Sequence, residues 1–410
     1  MTVRAAPSWL NRNVVAMGAT SLLSDAGHEG ATSVLPGFLA ALGLPPAALG
    51  IIEGVSDALS SFVKLGACWV GDRTGRRWGL AVSGYVMTGL MPAWFLAAQS
   101  WPLVLIGRAF GWFGRGVRGP LRDAMLAESV APEARGRAFG FHRAGDTIGA
   151  VIGPVGAVIV LALVNTTGTD PLAAFRTVFL LALIPGLASA LAFALFVRDP
   201  ATGLRSGGTF IGAVRGFPPA FRTFLAGVGV FGLGDFAPSL LILAATTLLT
   251  PRFGLVEAGA IAGALYVLRN AVYALGCYPI GALSDRSGRP IPMLAGGFAI
   301  GALVAAGTLL AFAANIDEPL YLAVLFAGSG VLAATDDTLE GVATAELAGP
   351  ASRATAFGLL GSVNGIGDLV ASAGLGILWT LISSELAFAA AALAMGAGAI
   401  LLFRTREQRS

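Results

Sequence analysis

Asp25, His28 and Glu29 stand at i, i+3 and i+4, which places two carboxylates and an imidazole on one face of a helix. A second stripe follows at Glu53, Asp57 and Lys64, with Ser60 and Ser61 between them; Lys64 is the only lysine in the chain. Arg115, Arg118 and Arg122 line up further on, then His142, Arg143 and Asp146, then Asp235, Arg269 with Asn270, Asp336 with Glu340, and Asn364 with Asp368. All of these interrupt apolar stretches. Three kinds of chemistry fit such residues. A carboxylate in a low-dielectric cavity can take up and release a proton, for which Asp25 and Glu29 are the first candidates and Asp57 the next. Opposite charges can pair as static bridges, Asp57 with Lys64 and the arginines near 115 with the acids near 336 or with acids elsewhere. Oxygen and nitrogen ligands on one helical turn, with His142 as a fourth, can hold a transition-metal ion.

The surroundings decide what can position these groups. Of 410 residues, 56% are hydrophobic and 12% charged, about half the charged fraction of a soluble domain. This is the composition of a membrane protein without room for a large soluble domain. The apolar runs predict twelve membrane helices, centred near residues 28, 59, 88, 114, 150, 185, 235, 268, 302, 333, 367 and 394. They do not alternate at period two, which excludes a β-barrel. The first run is broken by Asp25, His28 and Glu29, so a cleaved signal peptide is not expected. Cys68 and Cys277 form neither a disulfide framework nor a CxxC site.

Positive charge gathers in alternate connections: Arg4 and Arg12, then Arg73, Arg76 and Arg77, then Arg135 and Arg137, then Arg198, Arg205 and Arg215, then Arg286 and Arg289, Arg353, and Arg404, Arg406 and Arg409. The intervening connections, such as 43–47, 99–102 and 315–319, carry almost none. The positive-inside rule then predicts an inner (plasma) membrane protein with many passes and both termini cytoplasmic. The same bias accounts for the net charge of +3, and no nucleic-acid partner is expected.

The chain repeats itself. A shift of 213 lays Gly-Asp-Arg-Thr-Gly-Arg at 71–76 over Ser-Asp-Arg-Ser-Gly-Arg at 284–289, and a shift of 218 matches Glu128, Pro132 and Arg135 to Glu346, Pro350 and Arg353, with Ala-Phe-Gly recurring intact. The expected organisation is a six-helix bundle over 1–197, a cytoplasmic linker over 198–218, and a second bundle over 219–410. Duplicated bundles of this kind place a solute site at their interface and expose it to each side in turn.

With those residues in view, the chain resembles the major facilitator superfamily of secondary transporters. Asp72, Arg73, Gly75, Arg76 and Arg77 look like the family's signature between the second and third spans, and Gly281, Asp285, Arg286, Gly288 and Arg289 like its echo in the second half. Cys68 replaces the leading glycine of the first copy. Arg108 stands near where the family often has an embedded arginine. Gly149, Gly153 and Pro154 are similar to a motif of the family's exporters. The resemblance implies an all-α fold of twelve transmembrane helices in two pseudo-symmetric bundles and a cytoplasmic latch at the signature loop, which Asp123 or Glu128 could complete.

The resulting expectation is proton-coupled efflux of a small organic solute, by a monomer in the lipid bilayer, with no cofactor and no resident metal. Two other readings stay open: export of a divalent transition metal through Asp25, His28 and Glu29, and a sensor or enzyme on a transporter fold. No serine or cysteine has an identifiable catalytic partner in the sequence. Two Gly-x-Gly-x-x-Gly matches, at 114–119 and 227–232, fall inside membrane helices and follow no strand, so they are not dinucleotide sites.

Overall fold

The computed structural model describes residues 9–74, 76–131, 135–165, 170–199, 218–348 and 353–404. Among them are thirteen helices: α1 (Arg12–Ala41), α2 (Pro46–Thr74), α3 (Arg77–Ala97), α4 (Trp101–Glu128), α5 (Arg135–Asn165), α6 (Pro171–Phe196), α7 (Pro219–Gly232), α8 (Pro238–Phe253), α9 (Leu255–Ser287), α10 (Pro290–Ala313), α11 (Pro319–Ala348), α12 (Arg353–Leu381) and α13 (Ser384–Phe403). The thirteenth arises because the span expected near residue 235 is broken into α7 and α8. Residues 200–217, most of the expected linker, lie outside the described residues, as do Arg4, Gly75, Arg205, Arg215, Arg406 and Arg409.

Helix ends follow local chemistry. The Asn11 side chain accepts the Val14 N–H at 3.1 Å to cap α1, and the Ser383 hydroxyl accepts the Leu386 N–H at 3.2 Å to cap α13. Gly288, in the second copy of the signature loop, ends α9 at φ 61°, a left-handed conformation that glycine adopts without strain. Eight helices, α3, α5, α6 and α9 to α13, are long and apolar enough to cross a membrane. Helices α1, α2 and α4 are as long but carry the acids and arginines. Outward-facing side chains such as Leu163, Ile184, Leu303 and Leu320 are well exposed, the arrangement expected when lipid is the solvent.

The repeat is visible in the helix starts. Offsets of 218 relate the starts of α4 and α5 to those of α11 and α12, and an offset of 213 relates α3 and α6 to α10 and α13. In the first half α1 packs on α5 and α6, and α4 on α2 and α3; in the second α9 packs on α11, and α10 on α11 and α13. Glycine sets how close these helices come. A Cβ on Gly149 would sit 3.0 Å from Ala26 N, and one on Gly153 2.9 Å from Gly30 N. The exporter-like motif with Pro154 is thus where α5 lies against the backbone of α1.

The halves meet on one side of the membrane. A Cβ on Gly54 of α2 would lie 2.9 Å from Leu369 O of α12, Ala47 N–H donates to Thr380 Oγ1 at 2.8 Å, and Asn270 Nδ2 of α9 donates to Ala150 O of α5 at 3.0 Å. Toward the arginine-bearing ends, α4 and α11 pack within their own halves. A central crevice between them therefore opens toward the arginine-bearing side.

One buried pair holds the first half together at its centre. Arg108 of α4 donates from Nε and Nη2 to Glu53 Oε2 of α2, at 3.1 and 2.9 Å, and from Nη1 to Thr32 Oγ1 of α1 at 2.8 Å. Both side chains are 2% exposed. Removing one partner strands a buried charge, which costs about 3–5 kcal/mol, whereas replacing both with apolar side chains is close to neutral. Arg108→Met alone is therefore expected to lower the thermal midpoint of the detergent-purified protein sharply, and Arg108→Met with Glu53→Leu to restore most of the loss.

Candidate functional site

The acids of α1 meet the arginines of α4 across the crevice wall of the first half. Arg115 Nη2 lies 3.8 Å from Asp25 Oδ2 and its Nη1 3.8 Å from Glu29 Oε1, while Arg118 Nη2 lies 3.7 Å from Asp25 Oδ1. These pairs stay on α4 and α1. Of the partners open to the α4 arginines, the acids near 336 or acids elsewhere, the structure brings them those of α1, because the halves diverge where α4 and α11 face each other. Trp112 provides the floor: the guanidinium carbons of Arg108 and Arg115 stand 5.4 and 5.1 Å from its ring centre, and the His28 ring meets it edge-on at 5.2 Å. Arg118 rests 4.4 Å above the Tyr85 ring. Glu29 also accepts a hydrogen bond of 2.7 Å from Tyr266 of α9, which the sequence reading did not single out; a tyrosine in an apolar run has no spacing signal.

Nearer the arginine-bearing end, Ser21 of α1 bonds to His142 Nε2 of α5, and His142 Nδ1 lies 3.5 Å from Asp146 Oδ2. This corrects the expectation that no serine has a partner. The arrangement is not a hydrolytic site: Ser21 is fully buried and accepts from Arg122 Nη1 at 3.3 Å, so no acyl group can reach it. Arg143, one residue on, is exposed. The metal reading also changes. His142 is engaged with Ser21 and Asp146 rather than with His28 and Glu29, and among the described residues no group of three or more His, Cys, Asp or Glu side chains could hold a metal ion.

The second half supplies a cavity of about 260 Å³ lined by Asp235, Asp336, Asp337 and Asp368, with Arg269 beside them. Asp57 of α2 joins this wall from the first half. It does so instead of pairing with Lys64, which makes no ion pair among the described residues. The break between α7 and α8 forms one side of the cavity, through Asp235, Phe236, Ala237 and Pro238. Counted from their helix starts, Arg12 and Pro219, His28 and Asp235 occupy the same position. The repeat thus carries a continuous polar helix in one half and an interrupted one in the other, as in transporters whose broken helices turn backbone groups toward solute. Arg269 Nε donates to Ser329 Oγ at 3.2 Å, Tyr273 donates to Asp337 Oδ2 at 2.7 Å, and Glu340 accepts from Asn364 at 2.7 Å. Asp337 and Tyr273 carry no spacing signal in the sequence: they lie on different helices and meet only because α9 packs on α11.

At the signature loop, Arg77 makes a two-pronged bond to Glu128, 2.8 and 2.9 Å, and reaches Asp199 at 3.3 Å. It ties the start of α3 to the ends of α4 and α6. The side chains of Asp72, Arg73 and Asp285 lie outside the described residues, with those of Arg135, Arg137 and Arg353. Gly281 approaches Thr338 of α11, Arg286 falls in the last turn of α9, and Arg289 precedes α10.

Comparison with known proteins agrees with this architecture. The family model described as the Major Facilitator Superfamily matches residues 17–269. An uncharacterised MFS-type transporter of Methanocaldococcus jannaschii is 29% identical over 398 residues, 96% of this chain and 95% of that one. A probable 4-methylmuconolactone transporter of Cupriavidus pinatubonensis is 28% identical over 167 residues, 40% of this chain and 36% of that one. Among solved structures, the nucleoside transporter NupG superimposes with a TM-score of 0.77 at 12% identity, covering 96% of this chain and 98% of that one. An inward-facing, occupied bacterial homologue of the human lysosomal transporter Spinster gives 0.69 at 19% identity, covering 96% and 94%. The chain, a multi-pass membrane protein with this fold, belongs to the Major Facilitator Superfamily of secondary transporters.

Proposed function

We propose that the chain is a proton-coupled antiporter that exports a small organic solute bearing a positive charge. The observation that carries this reading is the cavity in which Asp57, Asp235, Asp336, Asp337 and Asp368 face one guanidinium, that of Arg269. Such a wall attracts cations, and a proton and a charged amine compete for the same oxygens. That competition is the simplest form of exchange: solute leaves as protons arrive. Asp25 and Glu29, held by Arg115 and Arg118, are the further carboxylates through which protons act. The glycines of α5 support export over import by their likeness to the exporter motif. The chain works as a monomer in the inner (plasma) membrane, with both termini and the open crevice on the cytoplasmic side and the bundles over 1–197 and 219–410 rocking about the linker.

Flux into proteoliposomes under an imposed pH gradient tests this, screened over cationic drugs, amino acids, organic anions and divalent metals. Cationic or zwitterionic solutes are expected to move, and a protonophore to abolish their accumulation. Asp336→Asn and Asp368→Asn should each lower flux by about tenfold or more, a loss of about 1.4 kcal/mol of stabilisation. Movement of anions alone would overturn the assigned charge, and flux indifferent to the gradient would overturn proton coupling.

Arg77, with Glu128 and Asp199, braces the ends of α3, α4 and α6 at the signature loop and keeps the first half rigid as the halves rock. Arg77→Gln removes charge-assisted bonds without touching the solute cavity. Membrane insertion and solute affinity should be preserved while the maximal transport rate falls several-fold; an unchanged rate would assign the arginine to topology alone.

A further inference from the structure

Away from the central crevice, an open basin of about 650 Å³ is cut into the outer wall of the first half, between the start of α3 and the end of α6. Arg76 and Trp78 line it from one side, Leu195, Arg198 and Asp199 from the other. The Trp78 indole donates to Val197 O at 3.1 Å, which ties its ring to the end of α6. The Arg198 main chain is pinned by Asn13, its N–H donating to Oδ1 at 3.0 Å and its carbonyl accepting from Nδ2 at 2.9 Å, so a fixed backbone carries the exposed guanidinium. Arg76 is exposed as well, while Asp199, the carboxylate on this wall, is held by Arg77 at 3.3 Å. The basin is therefore cationic. Its depth follows from the two spans: α3 and α6 are both apolar enough to cross a membrane, and the basin takes in the residues where each ends on the arginine-bearing side. A tryptophan at that level marks the headgroup layer. On α6, Leu180, Ile184, Leu187, Leu191 and Leu195 are all exposed and recur every three or four residues. They form one apolar stripe from mid-membrane into the basin.

We propose that this basin binds the headgroup of an anionic phospholipid from the leaflet on the arginine-bearing side, with the phosphate between Arg76 and Arg198 and an acyl chain along the apolar stripe of α6. Guanidinium suits phosphate because its planar fork gives paired, charge-assisted hydrogen bonds to two oxygens. Charge alone would accept a soluble phosphate equally well. The stripe decides between the two sources: an apolar face leading into a cationic basin matches a molecule with both parts, and a lipid reaches it without leaving the bilayer. A choline or ethanolamine group would bring a second cation to a wall of arginines, so lipids of net negative charge are favoured. The bound phosphate links the start of α3 to the chain that leaves α6, the corner that Arg77 braces through Glu128 and Asp199. The site lies apart from the acid-rich solute cavity, with which it shares no lining residue.

Native mass spectrometry of the detergent-purified protein, titrated with dioleoylphosphatidylglycerol, tests this without any solute. One lipid is expected to be retained well above the background of weaker adducts, with dioleoylphosphatidylcholine and dioleoylphosphatidylethanolamine bound about tenfold more weakly, as the loss of the net charge that the arginines recognise requires. Arg76→Gln and Arg198→Gln should each weaken the phosphatidylglycerol site about fivefold, the factor carried by one arginine near an anionic lipid surface, and the double variant should lose more than either. Both side chains are exposed, so the thermal midpoints without lipid should match the parent's, whereas added phosphatidylglycerol should raise the midpoint of the parent and not that of the double variant. Arg404→Gln removes an exposed arginine at the end of α13 and should leave the tight lipid in place. An equal loss in Arg404→Gln, or equal retention of the two zwitterionic lipids, would overturn the site. Glycerol 3-phosphate at the same concentration should not displace the lipid; displacement as ready as that by phosphatidylglycerol itself would make the basin a site for soluble phosphate and overturn the lipid assignment.

Discussion

Charge in a hydrocarbon solvent is the constraint from which the rest of this structure follows. Each ionised side chain facing lipid at mid-membrane costs about 2.5–3.5 kcal/mol on insertion scales, so α1, α2 and α4 cannot stand alone in the bilayer. They are stable where Arg108 finds Glu53 and Thr32, and where Arg115 and Arg118 find Asp25 and Glu29. These contacts fix the rotation of three helices about their axes, and that rotation creates the polar crevice. The eight apolar helices then complete the lipid-facing shell.

Duplication gives the two halves one architecture but different chemistry. In the first half opposite charges on α1 and α4 face each other at 3.7–3.8 Å, forming a polar wall of balanced charge. In the second, the positions related to the α4 arginines carry Asp336 and Glu340, and the related span is broken at Asp235, so acids collect around a cavity with one arginine. A wall of balanced charge therefore faces an acid-rich one. Glycine determines how tightly the walls can approach: Gly54 brings α2 against the backbone of α12, and Gly149 and Gly153 do the same for α5 and α1. Larger residues there would hold the helices apart.

The fold was largely legible in the sequence, since hydropathy over about 20 residues and the positions of arginine depend only on neighbours along the chain. The centres of the twelve expected spans fall within the helices observed, with the seventh on the break between α7 and α8. The expected spans did not include that break, although Gly232, Gly234 and Asp235 followed by Pro238 at the start of α8 are the local signal for it.

By itself the sequence determined the membrane class, the repeat, the spans and the inventory of buried charges, because composition and periodicity are local properties. Only the tertiary structure decided the partners. Asp57 and Lys64 share a helix yet do not pair, because α2 turns Asp57 toward the second half; Ser21 and His142, far apart in the chain, bond because α5 lies on α1. Tyr266 reaches Glu29 because α9 closes on α1, a contact between the halves that no spacing along one helix encodes. A side chain's chemistry in a membrane depends on what faces it across the interface, and that is set by helix packing in three dimensions.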